Sequence, residues 1–364
     1  MECLSLIYYQ RSKEMQPLIK PPKLNYGDTV TAITLSWGGP ATFPYRFEVG
    51  KQRLEEIFGL RVLHTKHALK SAEWIYQNPK ARADDLMEAF LDPHIKAIIS
   101  NIGGDDSLRL IPFIDFNIIK NNPKVVMGYS DTTVTHFMCF KAGLTSFYGP
   151  SVMTAFAENV AMHDYTISGI LKTLFSSEII GAIPNNTEGW TTELLDWFDE
   201  NNQSIRRSLN PPSGWHFIGE NKHICKGRLI GGCLEVMQFL NNTELWPDLS
   251  TWDRAVLFLE TSEEGIEPSV VTRFMRNLAA QGIISRLSGI LFSKPGGSYM
   301  TVGHFHEYDQ ALLKVFEEYK IPPIPIVTRM DFGHSDPMWI LPYGVMVEIN
   351  PGENTVTILE NSVR

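Results

Sequence analysis

Ser130 stands where a short strand passes directly into a helix, a position that suits a nucleophilic hydroxyl. The apolar residues 125–127 predict the strand, and apolar residues recurring from Val134 to Ala142 predict the helix. On such a turn the hydroxyl stands clear of the backbone, and the helix N-terminus offers N–H groups to an anionic intermediate. The alternative is that Ser130 only caps the helix, with Asp131 complementing the helix dipole.

A nucleophilic serine needs a base and an acid that orients the base, and two residues downstream have suitable positions. His334 lies in the Gly- and Pro-punctuated loop 330–337, where an imidazole can be aimed at a partner. Glu260 ends the apolar run 255–259, from which a carboxylate can hold one histidine tautomer. The plainer alternatives are a solvated loop histidine and a solvated carboxylate at a strand end.

Gly103 and Gly104 follow another predicted strand, residues 95–100. Their backbone N–H groups suit either a phosphate or an oxyanion, and the run matches neither G-x-G-x-x-G nor a P-loop. Acidic pairs such as Glu263 and Glu264 raise the possibility of glycosidase chemistry, but no sugar-binding aromatic pattern accompanies them.

Alternating strands and helices position these residues. The alternation from residue 29 to residue 143 predicts a parallel, doubly wound sheet, so the glycine pair and Ser130 should line one crevice at its carboxyl edge. Residues 151–176 are expected to be helical. A second α/β unit is expected to begin with the glycine-rich run 226–232, which leads into a helix, and to close with a hairpin.

Between the two units, residues 183–212 are polar and irregular and carry Trp190 and Trp197, which indicates a linker or a functional loop. The predicted organisation is an N-terminal domain over residues 15–180, a tryptophan-bearing loop over 181–222 and a smaller C-terminal α/β domain over 223–364.

Composition excludes several classes of protein. The chain has 364 residues, 43% of them hydrophobic and 20% charged, which fits a globular protein of two domains. Its net charge of -9 comes without a basic block, which argues against nucleic acid or an anionic membrane as a partner. The four cysteines form no C-x-x-C pair, so we expect no zinc site and a reducing cytoplasm.

The N-terminus carries no pattern of a signal peptide, and no run of 18 apolar residues occurs. Residues 1–14 are interpreted as a possible upstream extension, because Met15 begins the segment that reads as a domain start.

Five motifs in order resemble the LD-carboxypeptidase family of serine peptidases, over nearly the whole chain from about Met15. They are Gly103-Gly104, Gly128-Tyr-Ser-Asp131, Gly227-Arg-Leu-Ile-Gly-Gly232, Leu257-Phe-Leu-Glu260 and Gly333-His-Ser-Asp-Pro337.

The resemblance implies a catalytic triad of Ser130, His334 and Glu260, as nucleophile, general acid/base and orienting carboxylate. It implies an oxyanion hole from the N–H groups of Asp131 and of the turn containing Gly104. It also implies an N-terminal Rossmann-like domain that supplies the serine, a C-terminal domain that supplies the other two residues, and an active site between them. The resemblance implies no metal and no organic cofactor. It does imply a homodimer.

Two branches of the family differ in substrate. Murein-recycling enzymes remove a terminal D-residue from muropeptides, and microcin C self-immunity peptidases cleave the amide between an amino acid and a modified adenylate. The chain is similar to the second branch in its tryptophan-bearing insertion, so Trp190, Trp197 and Gly103 are expected to contact substrate. Some immunity peptidases place a lysine for an acidic aminoacyl group where this chain has Glu263 and Glu264, so an aspartyl preference is not carried over.

The expected function is therefore hydrolysis of an aminoacyl-nucleotide amide. The alternative within the class is a muropeptide LD-carboxypeptidase. The alternative from another class is a catalytically silent nucleotide-binding protein that uses the Gly103-Gly104 loop and the two tryptophans.

Overall fold

The computed structural model describes residues 17–219 and 223–364, which form two β-sheets flanked by helices. The possible upstream extension, residues 1–14, lies outside the described residues. Across the part of the chain that is described, no helix combines the length and the apolar character that a membrane crossing needs.

The first sheet has the order β12-β5-β4-β3-β1-β2, and only β12 runs antiparallel to its neighbour. This arrangement confirms the parallel sheet predicted for the N-terminal half. Its strands are β1 (Thr29–Ile33), β2 (Arg61–His64), β3 (Ile95–Ser100), β4 (Val125–Gly128), β5 (Phe147–Tyr148) and β12 (Leu341–Pro342).

Helices cover this sheet, and β4 leads into α6 as predicted. The prediction of helix over 151–176 is wrong for its first half, because Val152 N–H donates to Ser100 O and Met153 N–H to Asn101 O, at 2.9 and 3.0 Å. These two N–H groups therefore bond to the end of β3 and to the residue after it, instead of to carbonyls of a helix. The helices are α1 (Gly39–Thr42), α2 (Pro44–Phe58), α3 (Ala72–Gln77), α4 (Pro79–Leu91), α5 (Phe116–Asn121), α6 (Thr132–Ala142) and α7 (Asp164–Leu174).

The second sheet has the order β6-β14-β13-β8-β9-β10-β11-β7, with β8 to β11 parallel at its centre. Its strands are β6 (Gly181–Ala182), β7 (His216–Ile218), β8 (Cys225–Cys233), β9 (Val256–Glu260), β10 (Gly289–Ser293), β11 (Ile326–Met330), β13 (Met346–Asn350) and β14 (Thr355–Ile358). The helices of this unit are α8 (Leu234–Leu240), α9 (Pro268–Ala280) and α10 (Phe305–Tyr319).

The glycine-rich run that was expected to lead into α8 is itself the strand β8. Glycine is required there because β9 lies close: a Cβ on Gly231 would come within 1.7 Å of Phe258 O. The strand therefore packs more tightly than a side chain at that position would allow.

The two units share strands and a core. The stretch 181–222, expected as loop or linker, supplies β6 and β7 at the two edges of the second sheet, while β12 joins the first sheet from the C-terminal half. The rings of Tyr148 in β5 and Phe258 in β9 lie 5.4 Å apart, and both residues are fully buried. The ends of β4 and β9 are thereby held close together.

Candidate active site

Ser130 occupies a strained turn between β4 and α6. Its φ is +61°, a left-handed conformation that costs a non-glycine residue about 1–3 kcal/mol and is typical of functional turns. Its carbonyl accepts hydrogen bonds from Thr133 N–H and Thr133 Oγ1 at 2.9 and 2.7 Å, which fix the first turn of the helix. The helix begins at Thr132 with Asp131 at its N-cap position, so Ser130 lies outside the cap.

Gly103 packs directly against this serine. A Cβ on Gly103 would lie 2.7 Å from both Cβ and Oγ of Ser130, closer than real side chains approach. The glycine therefore leaves the space that the Ser130 hydroxyl occupies.

The residue after Ser130 and the residue after Gly103 each have a backbone donor without a protein acceptor. Within residues 17–219 and 223–364, neither Asp131 N–H nor Gly104 N–H donates a hydrogen bond to another protein group. Unpaired N–H groups beside a reactive hydroxyl can stabilise an oxyanion.

Glu260 and His334 form a buried pair at the end of β9. Glu260 Oε2 lies 2.7 Å from His334 Nδ1 and accepts a hydrogen bond from His334 N–H at 3.3 Å. Glu260 is completely buried, and the His334 side chain is 6% exposed. Gly333, with φ +80°, allows this approach, because a Cβ there would lie 2.6 Å from Glu260 Oε2. The pair holds the imidazole in one orientation.

The other ring nitrogen of His334 contacts a second acid. His334 Nε2 lies 3.0 Å from Glu263 Oε2, and within the described residues no hydrogen bond joins His334 to Ser130 Oγ. Burial alone would lower the pKa of His334, but Glu260 and then Glu263 raise it well above its ordinary value. The hydrogen bond from His334 lowers the pKa of Glu263 to about 2. The imidazole is therefore held in its cationic form.

Tyr148 links the serine to the carboxylate, a role that no pattern in the sequence predicts. Its buried hydroxyl donates to Glu260 Oε1 and accepts from Ser130 N–H at 3.2 Å. Burial and the nearby Glu260 raise the pKa of Tyr148 well above its ordinary value, so the phenol keeps the proton that it donates. Tyr148 and Glu260 lie 112 residues apart in the chain, which is why local pattern could not pair them.

A cavity of about 480 Å³ opens over these residues, within the usual size of ligand sites. Of the predicted site residues, it is lined by Gly103, Gly104, Ser130, Trp197 and His334. The cavity thus brings together side chains from both units and from the intervening stretch.

The two tryptophans have different environments. Trp197 lines the cavity, with the Arg46 guanidinium 4.2 Å from its ring centroid. Trp190 is completely buried, with its ring 5.2 Å from that of Phe305, and does not line the cavity. Trp190 therefore offers no exposed surface for the expected contact with substrate, because its side chain packs in the core.

Glu260 and His334 also have a thiol neighbour. The potential ligand atoms of Cys233, Glu260 and His334 lie within 4.8 Å of one another. Burial, followed by the charge of Glu260, raises the pKa of Cys233 well above its ordinary value, and its thiol lies 3.4 Å from Glu235 Oε2. The Glu260 carboxylate and the His334 imidazole are hydrogen-bonded to each other, and they also contact Tyr148 and Glu263 respectively.

Comparison with known proteins identifies the class. The LD-carboxypeptidase N-terminal domain matches residues 30–149, and the LD-carboxypeptidase C-terminal domain matches residues 226–349. The chain belongs to the LD-carboxypeptidase family of peptidases, as its motifs predicted.

Relatives from two functional branches cover nearly the whole chain. The microcin C7 self-immunity protein MccF of Escherichia coli is 29% identical over 95% of this chain and 97% of its own length. A probable murein peptide carboxypeptidase of Bacillus subtilis is 28% identical over 93% of this chain and 94% of its own length. The structure of MccF in complex with aspartyl sulfamoyl adenosine has a TM-score of 0.83 and 27% identity, covering 95% of this chain and 100% of that one.

Proposed function

We propose that this protein is a serine hydrolase that cleaves the amide between an amino acid and a modified nucleotide. The observation that carries the proposal is the meeting of Ser130 and the His334–Glu260 pair at one cavity. Similarity to MccF, whose structure holds aspartyl sulfamoyl adenosine, supports the aminoacyl-nucleotide as the substrate class.

In the proposed mechanism, Ser130 Oγ attacks the scissile carbonyl carbon while His334 Nε2 accepts the hydroxyl proton. Because Nε2 contacts Glu263 before substrate binds, that carboxylate must first withdraw, and the imidazolium must release its proton to solvent. The N–H groups of Asp131 and Gly104 stabilise the oxyanion of the tetrahedral intermediate. His334 then protonates the leaving nitrogen as the C–N bond breaks, and water hydrolyses the acyl-enzyme with His334 again as base.

The test is hydrolysis of aminoacyl sulfamoyl adenosines and of a muropeptide tetrapeptide by the wild type and by Ser130→Ala. We expect cleavage of the nucleotide substrates, and a loss of about 10⁴- to 10⁶-fold in the variant with an almost unchanged melting temperature. Retention of most of the wild-type rate by Ser130→Ala would remove this serine from the mechanism. Cleavage of the tetrapeptide alone would favour the second candidate, murein recycling, which the similarity to the Bacillus subtilis relative supports.

The nucleotide moiety can be tested through Trp197, which we propose stacks on the base. Base–aromatic stacking contributes about 1–3 kcal/mol, so Trp197→Ala should raise KM for an aminoacyl sulfamoyl adenosine about ten- to a hundredfold. A substrate without a base should be unaffected. An equal loss on both substrates, together with a lower melting temperature, would indicate that Trp197 only packs against Arg46 and Phe43.

A further inference from the structure

Glu263 is an acid placed at the reacting end of the cavity. Its side chain is 55% exposed and lines the same cavity as Ser130, while its Oε2 lies 3.0 Å from His334 Nε2. Because His334 lowers its pKa to about 2, the carboxylate is ionised at neutral pH. Its negative charge therefore lies on the wall of the cavity that also carries Ser130.

Among the described residues that line the cavity, the cation that partners this carboxylate is the His334 imidazolium. Besides Glu263, the wall carries the acids Asp196 and Asp336 and the cations Arg207 and His334. The Arg207 guanidinium already bonds both Asp336 and the buried Glu158. No lysine lines the part of this cavity that the described residues form. The three acids of the wall outnumber its two cations, and the most exposed of these acids are Asp196 and Glu263.

We propose that Glu263 is a specificity-determining residue that selects a basic aminoacyl group over an acidic one. The proposal rests on the proposed function, since it concerns the acyl half of the same substrate. With the scissile carbonyl at Ser130, the acyl side chain branches from the carbon next to the reacting carbon, and a carboxylate that contacts His334 is within its reach. A cationic side chain there replaces the imidazolium as partner of Glu263, whereas an anionic one meets a like charge.

This exchange also frees the base. Once a substrate cation donates to Glu263, His334 Nε2 is released; it can then lose its proton to solvent and accept the proton of the Ser130 hydroxyl. A basic substrate is therefore favoured in both binding and catalysis, and an acidic substrate in neither.

The test compares three sulfamoyl adenosines with acyl groups of similar size: 2,4-diaminobutyryl, asparaginyl and aspartyl, with cationic, neutral and anionic side chains. For the wild type, we expect kcat/KM to fall in that order, with at least about a tenfold difference between the first and the last. Glu263→Gln should bring the ratio close to one, and Glu263→Lys should invert it. The ratio is the readout because any general effect of the substitution on His334 cancels between substrates.

Glu264 provides the matched control. It is the adjacent exposed acid and does not line the cavity, so Glu264→Lys changes the net charge equally and should leave the substrate order unchanged. Cleavage of all three substrates with the same ratio in the wild type and in Glu263→Lys would overturn the specificity role and leave the proposed function standing. An equal inversion by Glu264→Lys would also overturn it, in favour of the general field of the loop. Cleavage of none of the three by the wild type would instead overturn the proposed function, and this inference with it.

Discussion

Ser130 and His334 face one cavity from different units, and different interactions hold them there. Ser130 is held by backbone geometry: a left-handed φ of +61°, hydrogen bonds to its own carbonyl and the close approach of Gly103. His334 is held by side-chain contacts, with Glu260 on one ring nitrogen and Glu263 on the other.

The difference separates a rigid side of the cavity from an adjustable one. A backbone turn cannot change without breaking the start of α6, whereas the Glu263 contact involves a half-exposed side chain. Two side chains connect the sides: Tyr148 through Ser130 N–H and Glu260, and Thr133 through Cys233 N–H at 3.1 Å. We therefore expect substitutions of Ser130, His334 or Glu260 to stop the same catalytic step. Substitutions of Glu263 should alter only the pH dependence and the substrate selectivity of the reaction.

The largest expected effect tests whether the two sides act as one unit. His334→Ala and Glu260→Gln should each lower kcat by about 10³-fold or more, and combining either with Ser130→Ala should add little. Rates of purified single and double variants, with melting temperatures as a check on folding, provide the measurement. Fully multiplicative losses would mean that the two sides serve separate steps.

The rigid side could be predicted from sequence because its determinants are local. The apolar run before Ser130 and the helical period after it lie within about twenty residues, and the structure has β4 and α6 at those places. Local patterns also singled out Glu260, at the end of a predicted strand, and His334, in a Gly- and Pro-punctuated loop. Their pairing depends on β9 and the loop after β11 converging, and only the family resemblance anticipated it.

The contacts that could not be predicted join residues far apart in the chain. Tyr148 lies in a strand of two residues, which carries no period, and Glu263 was one of several exposed acids. Trp190 and Trp197 are seven positions apart in the same polar stretch, and sequence gave no reason to expect that one is buried and the other lines the cavity.

The connection between the sides can be broken with Tyr148→Phe, which removes a single oxygen. Glu260 then loses a donor and Ser130 N–H loses its acceptor, so we expect kcat to fall about 10- to 100-fold, the equivalent of about 1–3 kcal/mol. KM should change little, because Tyr148 does not line the cavity.

Tyr165→Phe is the matched control for this substitution. Tyr165 is another buried tyrosine, whose hydroxyl donates to Pro184 O at 3.0 Å away from the cavity, so its loss should affect stability and leave kcat unchanged. Equal losses of kcat in both variants would reduce Tyr148 to a packing role.

The smallest expected effect concerns the adjustable side and is a shift along the pH axis. Since the proposed mechanism needs neutral His334, kcat/KM should rise with pH through the pKa of this imidazole, which Glu260 and Glu263 raise in the free protein. Glu263→Gln removes one of the two carboxylates, so the pKa should fall and the rising limb should move to lower pH. The measurement is kcat/KM against pH with an asparaginyl substrate, whose neutral side chain avoids the selectivity effect. Glu264→Gln loses the same charge without contacting His334 and should keep the wild-type profile. If the rising part of the pH profile stayed in place in Glu263→Gln, it would report the ionisation of another group. The contact between Glu263 and His334 would then not set the pKa of the catalytic base.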